Sequence, residues 1–379
     1  MENLNKFLLS QDIPGVYKAC CYMEKGLCFD NIDLRDCCIG IDGNKRGMPV
    51  IEPNYQGEVL DWEKVFEHKE KRNSEVQEGK IPAVCEGCGF LNENEFFTGN
   101  RLLSEVIYQT NNFCNARCIY CSPKANRGVE FYSAYKATQD LLSKGYFKKG
   151  GRVFFNGGEP TLMRDFDKIV ELYLNEDADI TVNSSGINYR DSIYKGIEQN
   201  KLTLLVSIDC GTKKLYQTIK QVDKFDELVE NLKKYSEALN EDNQDRLRIK
   251  YIIIPGINDS VRDIKDFFKL AKKLEIKTVV FDMECMYAGA CDYKLPPYIY
   301  KLADYAEYSA EKNKMTLSYN VFFQWSNEKR KTKKVSFKNF EENEFAEKIE
   351  EEKVKNLSKN RYYAGLPNNF SKVTIKKKK

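Results

Sequence analysis

Three cysteines, Cys114, Cys118 and Cys121, stand in a C-x3-C-x2-C spacing within Asn-Phe-Cys-Asn-Ala-Arg-Cys-Ile-Tyr-Cys-Ser-Pro, residues 112–123. The stretch follows an apolar run, Val106-Ile107-Tyr108, that reads as a strand. Three thiolates on one short loop can each take one corner of a cubane iron–sulfur cluster, leaving the fourth iron without a protein ligand. An open metal position is where a substrate or cofactor binds, as an open zinc site differs from a closed structural one. A zinc knuckle or a set of buried thiols is the alternative. Zinc calls for a fourth Cys or His, and none lies within the loop.

A second stretch, Asn156-Gly157-Gly158-Glu159-Pro160, follows the apolar run Val153-Phe154-Phe155 and begins 35 positions after Cys121. Two glycines at a strand end let the backbone approach a ligand with φ values that other residues avoid. The Glu159 carboxylate is then expected to face the ligand pocket. Alone, such a stretch is an ordinary turn. With the cysteine loop, and with Tyr120 just before the third cysteine, it resembles the radical S-adenosylmethionine (SAM) superfamily. The resemblance implies a [4Fe–4S] cluster on Cys114, Cys118 and Cys121, and contacts from Gly157, Gly158 and Glu159 to the amino group of SAM. It also implies reductive cleavage of SAM at the open iron and hydrogen abstraction from a substrate by a 5′-deoxyadenosyl radical, chemistry that a cofactor and not a side chain supplies. A low-potential electron donor such as a flavodoxin or ferredoxin is the expected partner.

These residues need a frame, and from Leu103 onwards the chain alternates apolar runs with helical periodicity. Strands are expected at Glu105–Tyr108, Arg152–Phe155, Asp179–Val182, Thr203–Ile208, Arg248–Ile254 and Thr278–Phe281. Helices are expected at Tyr132–Lys144, Arg164–Leu174, Arg190–Gln199, Lys224–Ala238 and Asp259–Leu274. Such alternation predicts an α/β fold with right-handed crossovers and a parallel sheet. Six strands match the partial parallel (β/α)6 barrel of the superfamily. Chemistry in barrels sits on loops at the C-terminal strand ends, where both motifs fall. At further strand ends the resemblance points to Ser207 for the ribose, to Asn183 as a weaker contact, and to Lys220 as a partner for the SAM carboxylate. Asp209 shares a face with Ser207 by strand period. A surface position is the other reading of Lys220.

The length of 379 residues allows two or three domains of about 100–200 residues. They are expected as a small Cys-rich module at 1–100, the barrel at 101–295, and a helical, charged extension with a basic tail at 296–379. Thirteen cysteines without a secretion signal argue for metal or redox chemistry rather than a disulfide framework. No apolar run approaches membrane-spanning length, so a cytoplasmic protein without membrane partners is expected. A net charge of +3 gives no argument for nucleic acid, and the lysine runs at 329–334 and 376–379 read as solvated. The single histidine, His68, reads as a solvated helix residue, which argues against histidine-based metal sites and triads.

The first hundred residues hold Cys20, Cys21, Cys28, Cys37, Cys38, Cys85 and Cys88. Their order, around a short hairpin and a charged helix with Trp62, resembles the SPASM or twitch auxiliary-cluster modules of radical SAM enzymes. Those modules usually follow the barrel; here the pattern precedes it. The resemblance implies a second, auxiliary iron–sulfur cluster on Cys21, Cys37, Cys85 and Cys88, with Cys20 and Cys38 as alternates. Cys28 reads as a small buried hydrophobe, and a four-cysteine zinc site is the competing reading.

An auxiliary cluster could accept the electron left on a substrate radical, giving oxidative modification or cross-linking of a peptide or protein, the first choice. If a thiol returns hydrogen instead, Cys210, Cys285 and Cys291 are candidate donors, and the reaction becomes epimerisation, or dehydrogenation of a sugar or other small molecule. A non-catalytic iron–sulfur carrier or a zinc-binding protein is the reading from another class.

Overall fold

The computed structural model describes residues 18–37, 50–85, 92–93, 99–121, 130, 132–283, 296–319, 334–337 and 341–357. The chain divides into two compact units. The first comprises residues 1–117, 121–206 and 237–246, and the second residues 118–120, 207–236 and 247–379.

The first unit holds strands β1 (Lys18–Ala19), β2 (Gly26–Asp30), β3 (Asp33–Arg35), β4 (Val50–Pro53), β5 (Asn92–Glu93), β6 (Leu103–Gln109), β7 (Phe147–Phe155), β8 (Asp179–Ser184) and β9 (Leu202–Ser207). Its helices are α1 (Cys21–Lys25), α2 (Trp62–Gln77), α3 (Tyr135–Ser143), α4 (Phe166–Asn175) and α5 (Asp191–Glu198). β1 and β5 form a separate antiparallel pair. The others run β4-β3-β2-β6-β7-β8-β9, antiparallel among β2, β3 and β4 and parallel from β2 to β9.

Near-continuous burial of Val106, Ile107 and Tyr108 on β6 is what a parallel strand covered on both faces requires. Phe29, Tyr108 and Phe155 occupy paired positions on β2, β6 and β7. Their rings stack at 5.0 and 4.9 Å between centroids, the cross-strand pairing that stabilises a sheet and sets its register.

The second unit holds α6 (Lys213–Lys220), α7 (Phe225–Ser236), β10 (Leu247–Ile253), α8 (Val261–Lys273), β11 (Thr278–Met283), α9 (Pro297–Lys312), β12 (Thr316–Tyr319) and α10 (Glu342–Leu357). β10, β11 and β12 are parallel neighbours. Tyr251 and Phe281, paired in register, stack at 5.0 Å. Ser260 caps α8: it accepts from the Asp263 N–H at 3.1 Å and donates to the Asp263 carboxylate at 2.6 Å. One face of α8 then buries Val261, Ile264, Phe267, Phe268 and Ala271.

The α/β class with a mostly parallel sheet therefore stands, and all six expected strands form. Two elements depart from expectation. β2, read as part of a hairpin, does pair with β3 but also extends the sheet as the parallel neighbour of β6. α6 occupies a stretch read as a connection. α10, by contrast, is a helix within the helical, charged extension that was expected, and it buries Phe345 and Ile349. His68 is corrected too: on α2 it is half-buried, with Nε2 3.4 Å from the Asp36 carboxylate. Among the described residues no helix is long and apolar enough to cross a membrane.

Candidate active site

In the first unit the two motifs lie along one another. The Asn156 N–H donates to the Tyr108 carbonyl (2.9 Å), the Gly158 N–H to that of Asn111 (3.0 Å) and the Glu159 N–H to that of Phe113 (2.7 Å). The β6–β7 pairing thus continues past both strand ends as far as the cysteine loop. A Cβ on Gly158 would stand 2.3 Å from the Phe113 carbonyl oxygen, and one on Gly157, at φ 102°, 2.9 Å from that of Asn111. Only glycine fits this approach.

Glu159 departs from the expected orientation. It is 1% exposed and accepts from Ser184 Oγ (2.7 Å), Thr161 Oγ1 (2.6 Å), the Thr161 N–H (3.2 Å) and the Ser185 N–H (2.7 Å). A carboxylate so surrounded by the protein's own donors is an anchor between the ends of β7 and β8. The glycine backbone is the part left to meet a ligand. Asn183 bonds through its amide to Asn156, and the Ser185 hydroxyl donates to Asn115 on the cysteine loop at 3.0 Å. Thr110 Oγ1, Asn111 Oδ1 and Asn115 Nδ2 are buried there with no hydrogen-bond partner. Buried polar atoms of that kind call for a partner.

In the second unit, Cys118-Ile119-Tyr120 is held from below. The Ile119 N–H donates to the Ile219 carbonyl at 2.9 Å, and the Tyr120 hydroxyl donates to Asp209 Oδ2 at 2.7 Å. Lys220, the last residue of α6, donates to Asp209 Oδ2 (2.5 Å) and to the Tyr120 hydroxyl oxygen (2.8 Å). Burial works against the Lys220 charge, but Asp209 outweighs it and holds the ammonium above its ordinary value. Burial, joined by Asp209 and Cys118, pushes the Tyr120 hydroxyl well above the usual phenol range.

Lys220 was expected either on the surface or at the SAM carboxylate; the structure engages it in a buried ion pair. Its position four residues after Tyr216 on α6 was the available signal. Ser207 is half-buried at the end of β9. Cys210 is wholly buried, and its thiol is pushed up to about 12 by burial and by Asp209. A thiol so enclosed offers no face to a substrate radical. Cys285 and Cys291 lie outside the described residues.

At the N-terminal end, Cys20, Cys37 and Cys85 pack together with Met23 and Val76 in one buried cluster. The structure thus brings Cys20, an alternate, beside Cys37 and Cys85. Cys21 opens α1, and Cys38 and Cys88 lie outside the described residues. Cys28 is buried on β2, as expected. Beside the cluster, the buried Lys69 donates to the Met23 carbonyl (3.1 Å), to the Gly26 carbonyl and to Asp36 Oδ1 (2.8 Å). Burial pushes the Asp36 carboxyl up, while Lys69 and His68 together more than offset it and hold it below the ordinary 3.8.

Among the described residues no three Cys, His, Asp or Glu side chains stand close enough to hold a single metal ion. Cluster ligands need no such convergence, because each thiolate binds a different iron. Cys114, Cys118 and Cys121 are all half-buried on their loop. Three thiols on one loop, a glycine cradle and unpartnered amides are the donor chemistry that an iron–sulfur cluster and a polar ligand would use.

Residues 108–271 match the Radical SAM superfamily. The resemblance drawn from the two motifs is thus matched over residues 108–271 by that superfamily. The matched stretch runs from the end of β6 through α8 and includes both motifs. The chain is similar to GTP 3′,8-cyclase of Haemophilus influenzae, with 24% identity over 184 residues, 47% of this chain and 52% of that protein. It is likewise similar to GTP 3′,8-cyclase of Campylobacter jejuni, with 28% identity over 182 residues, 44% and 52% of the two chains. The chain spans about half the length of the curated relatives it matches. Among solved structures, Streptococcus suis SuiB bound to S-adenosylmethionine superposes with a TM-score of 0.48 and 14% identity, covering 72% of this chain and 59% of that one. For anSMEcpe with bound AdoMet the TM-score is 0.43 and the identity 18%, covering 57% and 63%.

Proposed function

We propose that this radical SAM protein is an enzyme that binds a [4Fe–4S] cluster through Cys114, Cys118 and Cys121 and SAM along Gly157–Gly158, and that it oxidatively modifies or cross-links a peptide or protein. One observation carries the cofactor part of this reading: the glycine backbone runs hydrogen-bonded along the start of the cysteine loop, with no room for a Cβ at either glycine. When bound and reduced, the cluster and SAM supply the radical that takes a hydrogen atom from the substrate. The chain's own residues then hold the parts in place. Glu159 fixes the glycine stretch to β8, Asn115 is held by Ser185, and Asn183 and Ser207 are the residues proposed for the nucleoside. A flavodoxin or ferredoxin supplies the electron, in the cytoplasm.

The grouping of Cys20, Cys37 and Cys85 supports a second, auxiliary cluster, with the fourth thiol from Cys21, Cys38 or Cys88. Such a cluster would take the electron left on the substrate. A nucleotide substrate is the second reading, favoured by the similarity to GTP 3′,8-cyclases.

The test is anaerobic reconstitution of the wild type and of a variant with Cys114, Cys118 and Cys121 all changed to Ala. The wild type is expected to form 5′-deoxyadenosine from SAM on reduction, and the variant none. The variant should keep about four irons and four sulfides, as one cubane requires. An iron-loaded wild type that leaves SAM intact would overturn the enzyme assignment. A variant retaining only zinc would remove the auxiliary cluster and shift preference to the nucleotide reading.

A further inference from the structure

Within the second unit, the C-terminal helix α10 reaches a buried charge at the end of β10. Lys353 of α10 sets its ammonium 2.5 Å from Asp259 Oδ1. Asp259 closes the turn 254–259 that follows β10 and is 0% exposed. Its other oxygen accepts from the Gly256 N–H and from the Tyr298 hydroxyl of α9, each at 2.7 Å. For Oδ1 the described residues offer Lys353 alone. A carboxylate so enclosed is costly without its counter-charge, and that charge comes from the last described helix.

On its inner side the same turn holds Asp209. Asn258, 0% exposed, accepts from the Ile254 N–H at 2.6 Å and donates through its amide to the carbonyls of Ile252 and Asp209, both at 2.8 Å. The Asp209 carboxylate takes the Ile252 N–H at 2.8 Å, in addition to Tyr120 and Lys220. Asp209 needs these restraints. Its φ is 65°, a left-handed backbone that persists in a non-glycine residue only where its surroundings over-determine it. The Tyr120 hydroxyl, on the cysteine loop, is one of its partners at 2.7 Å.

We propose that Lys353 is a positioning residue: α10, docked through it, holds the turn after β10 and, by way of Asn258 and Asp209, the Cys118–Tyr120 part of the cysteine loop. The other ion pairs of α10, Lys265 with Glu342 and Lys301 with Glu352, join partly exposed side chains, and such pairs contribute little. Lys353 is the one that answers a fully buried charge. The loop is therefore set in place only while the C-terminal helix is docked, whatever ligand the cysteines take.

Hydrogen–deuterium exchange on the full chain, read by mass spectrometry over residues 252–259 and 118–120, tests this. The Ile119 N–H, bonded to the Ile219 carbonyl at 2.9 Å, gives the loop a protected amide to report. K353M strands the Asp259 carboxylate and is expected to speed exchange at 252–259 about a hundredfold. At 118–120 an increase of about tenfold is expected as that opening spreads. K353R keeps the charge and should restore both segments. K353M/D259N removes the stranded charge and should exchange more slowly than K353M, a rescue that mere packing of the lysine stem would not give. K301M, which cuts an exposed tether of the same helix, should match the wild type.

Exchange in K353M that matches the wild type at 252–259, or that rises there and not at 118–120, would overturn the inference. A double variant no slower than K353M would do the same. If K353M does not fold, a double variant that folds supports the inference and one that does not overturns it. A wild type that takes up no iron would overturn the cluster reading and leave this inference standing.

Discussion

Two buried lysine–aspartate pairs occupy the two units, and they are put to different uses. In the first unit Lys69 meets Asp36 at 2.8 Å and turns its other donors to the backbone carbonyls of Met23 and Gly26. In the second, Lys220 meets Asp209 at 2.5 Å and turns to the hydroxyl of Tyr120. The first pair therefore fastens backbone to backbone around the N-terminal cysteines. The second fastens a side chain of the cysteine loop. The same ionic chemistry ties down backbone where the spare donors meet carbonyls, and a side chain of the cysteine loop where they meet a hydroxyl.

The contrast breaks most visibly at Lys69. Lys69→Met leaves Asp36 charged and buried, a change expected to cost about 3–5 kcal/mol in urea unfolding. Unchanged stability would show that Asp36 finds its counter-charge elsewhere. Glu159→Gln comes next. The amide cannot accept all four donors that the carboxylate accepts, so a loss of about 1–3 kcal/mol is expected in the same assay, with weaker SAM binding following from displaced glycines. Weaker SAM binding at full stability would mean that the carboxylate meets the ligand directly.

The smallest effect is the pH dependence of the Asp36 pair. Its carboxyl is held below 3.8 by Lys69 and His68 against burial, so its contribution is complete above the ordinary carboxylate range. That contribution fades as pH falls through the depressed value. Asp36→Asn should flatten this acid limb of the stability profile, and an unchanged limb would assign it to other carboxylates.

Much of this was legible in the residues. The six strands declared themselves because each carries a short buried apolar run, and the cysteine and glycine motifs because their spacing is chemically restrictive. What escaped was pairing at a distance. Nothing local to Gly26–Asp30 says that its partner is β6, more than seventy positions away, since parallel pairing leaves no turn to read. α6 is short and largely polar, with Tyr216, Ile219 and Lys220 as its buried side chains, so it read as a connection and Lys220 lost its context. Glu159 was identified as important, but its orientation depends on Ser184 and Ser185 at another strand end. Nothing local to Cys20 says that it packs beside Cys37 and Cys85, since they are distant in the chain.

The place of β2 bears on how the protein can be dissected. Expression of residues 101 onward as a separate piece would take away β2, β3 and β4 and leave β6 as a bare margin. Its seven residues are buried along most of their length, and Tyr108 would lose the stacked ring of Phe29. An open, apolar strand margin is a template for pairing with other chains. The shortened protein should therefore self-associate and precipitate, however intact its cysteine loop.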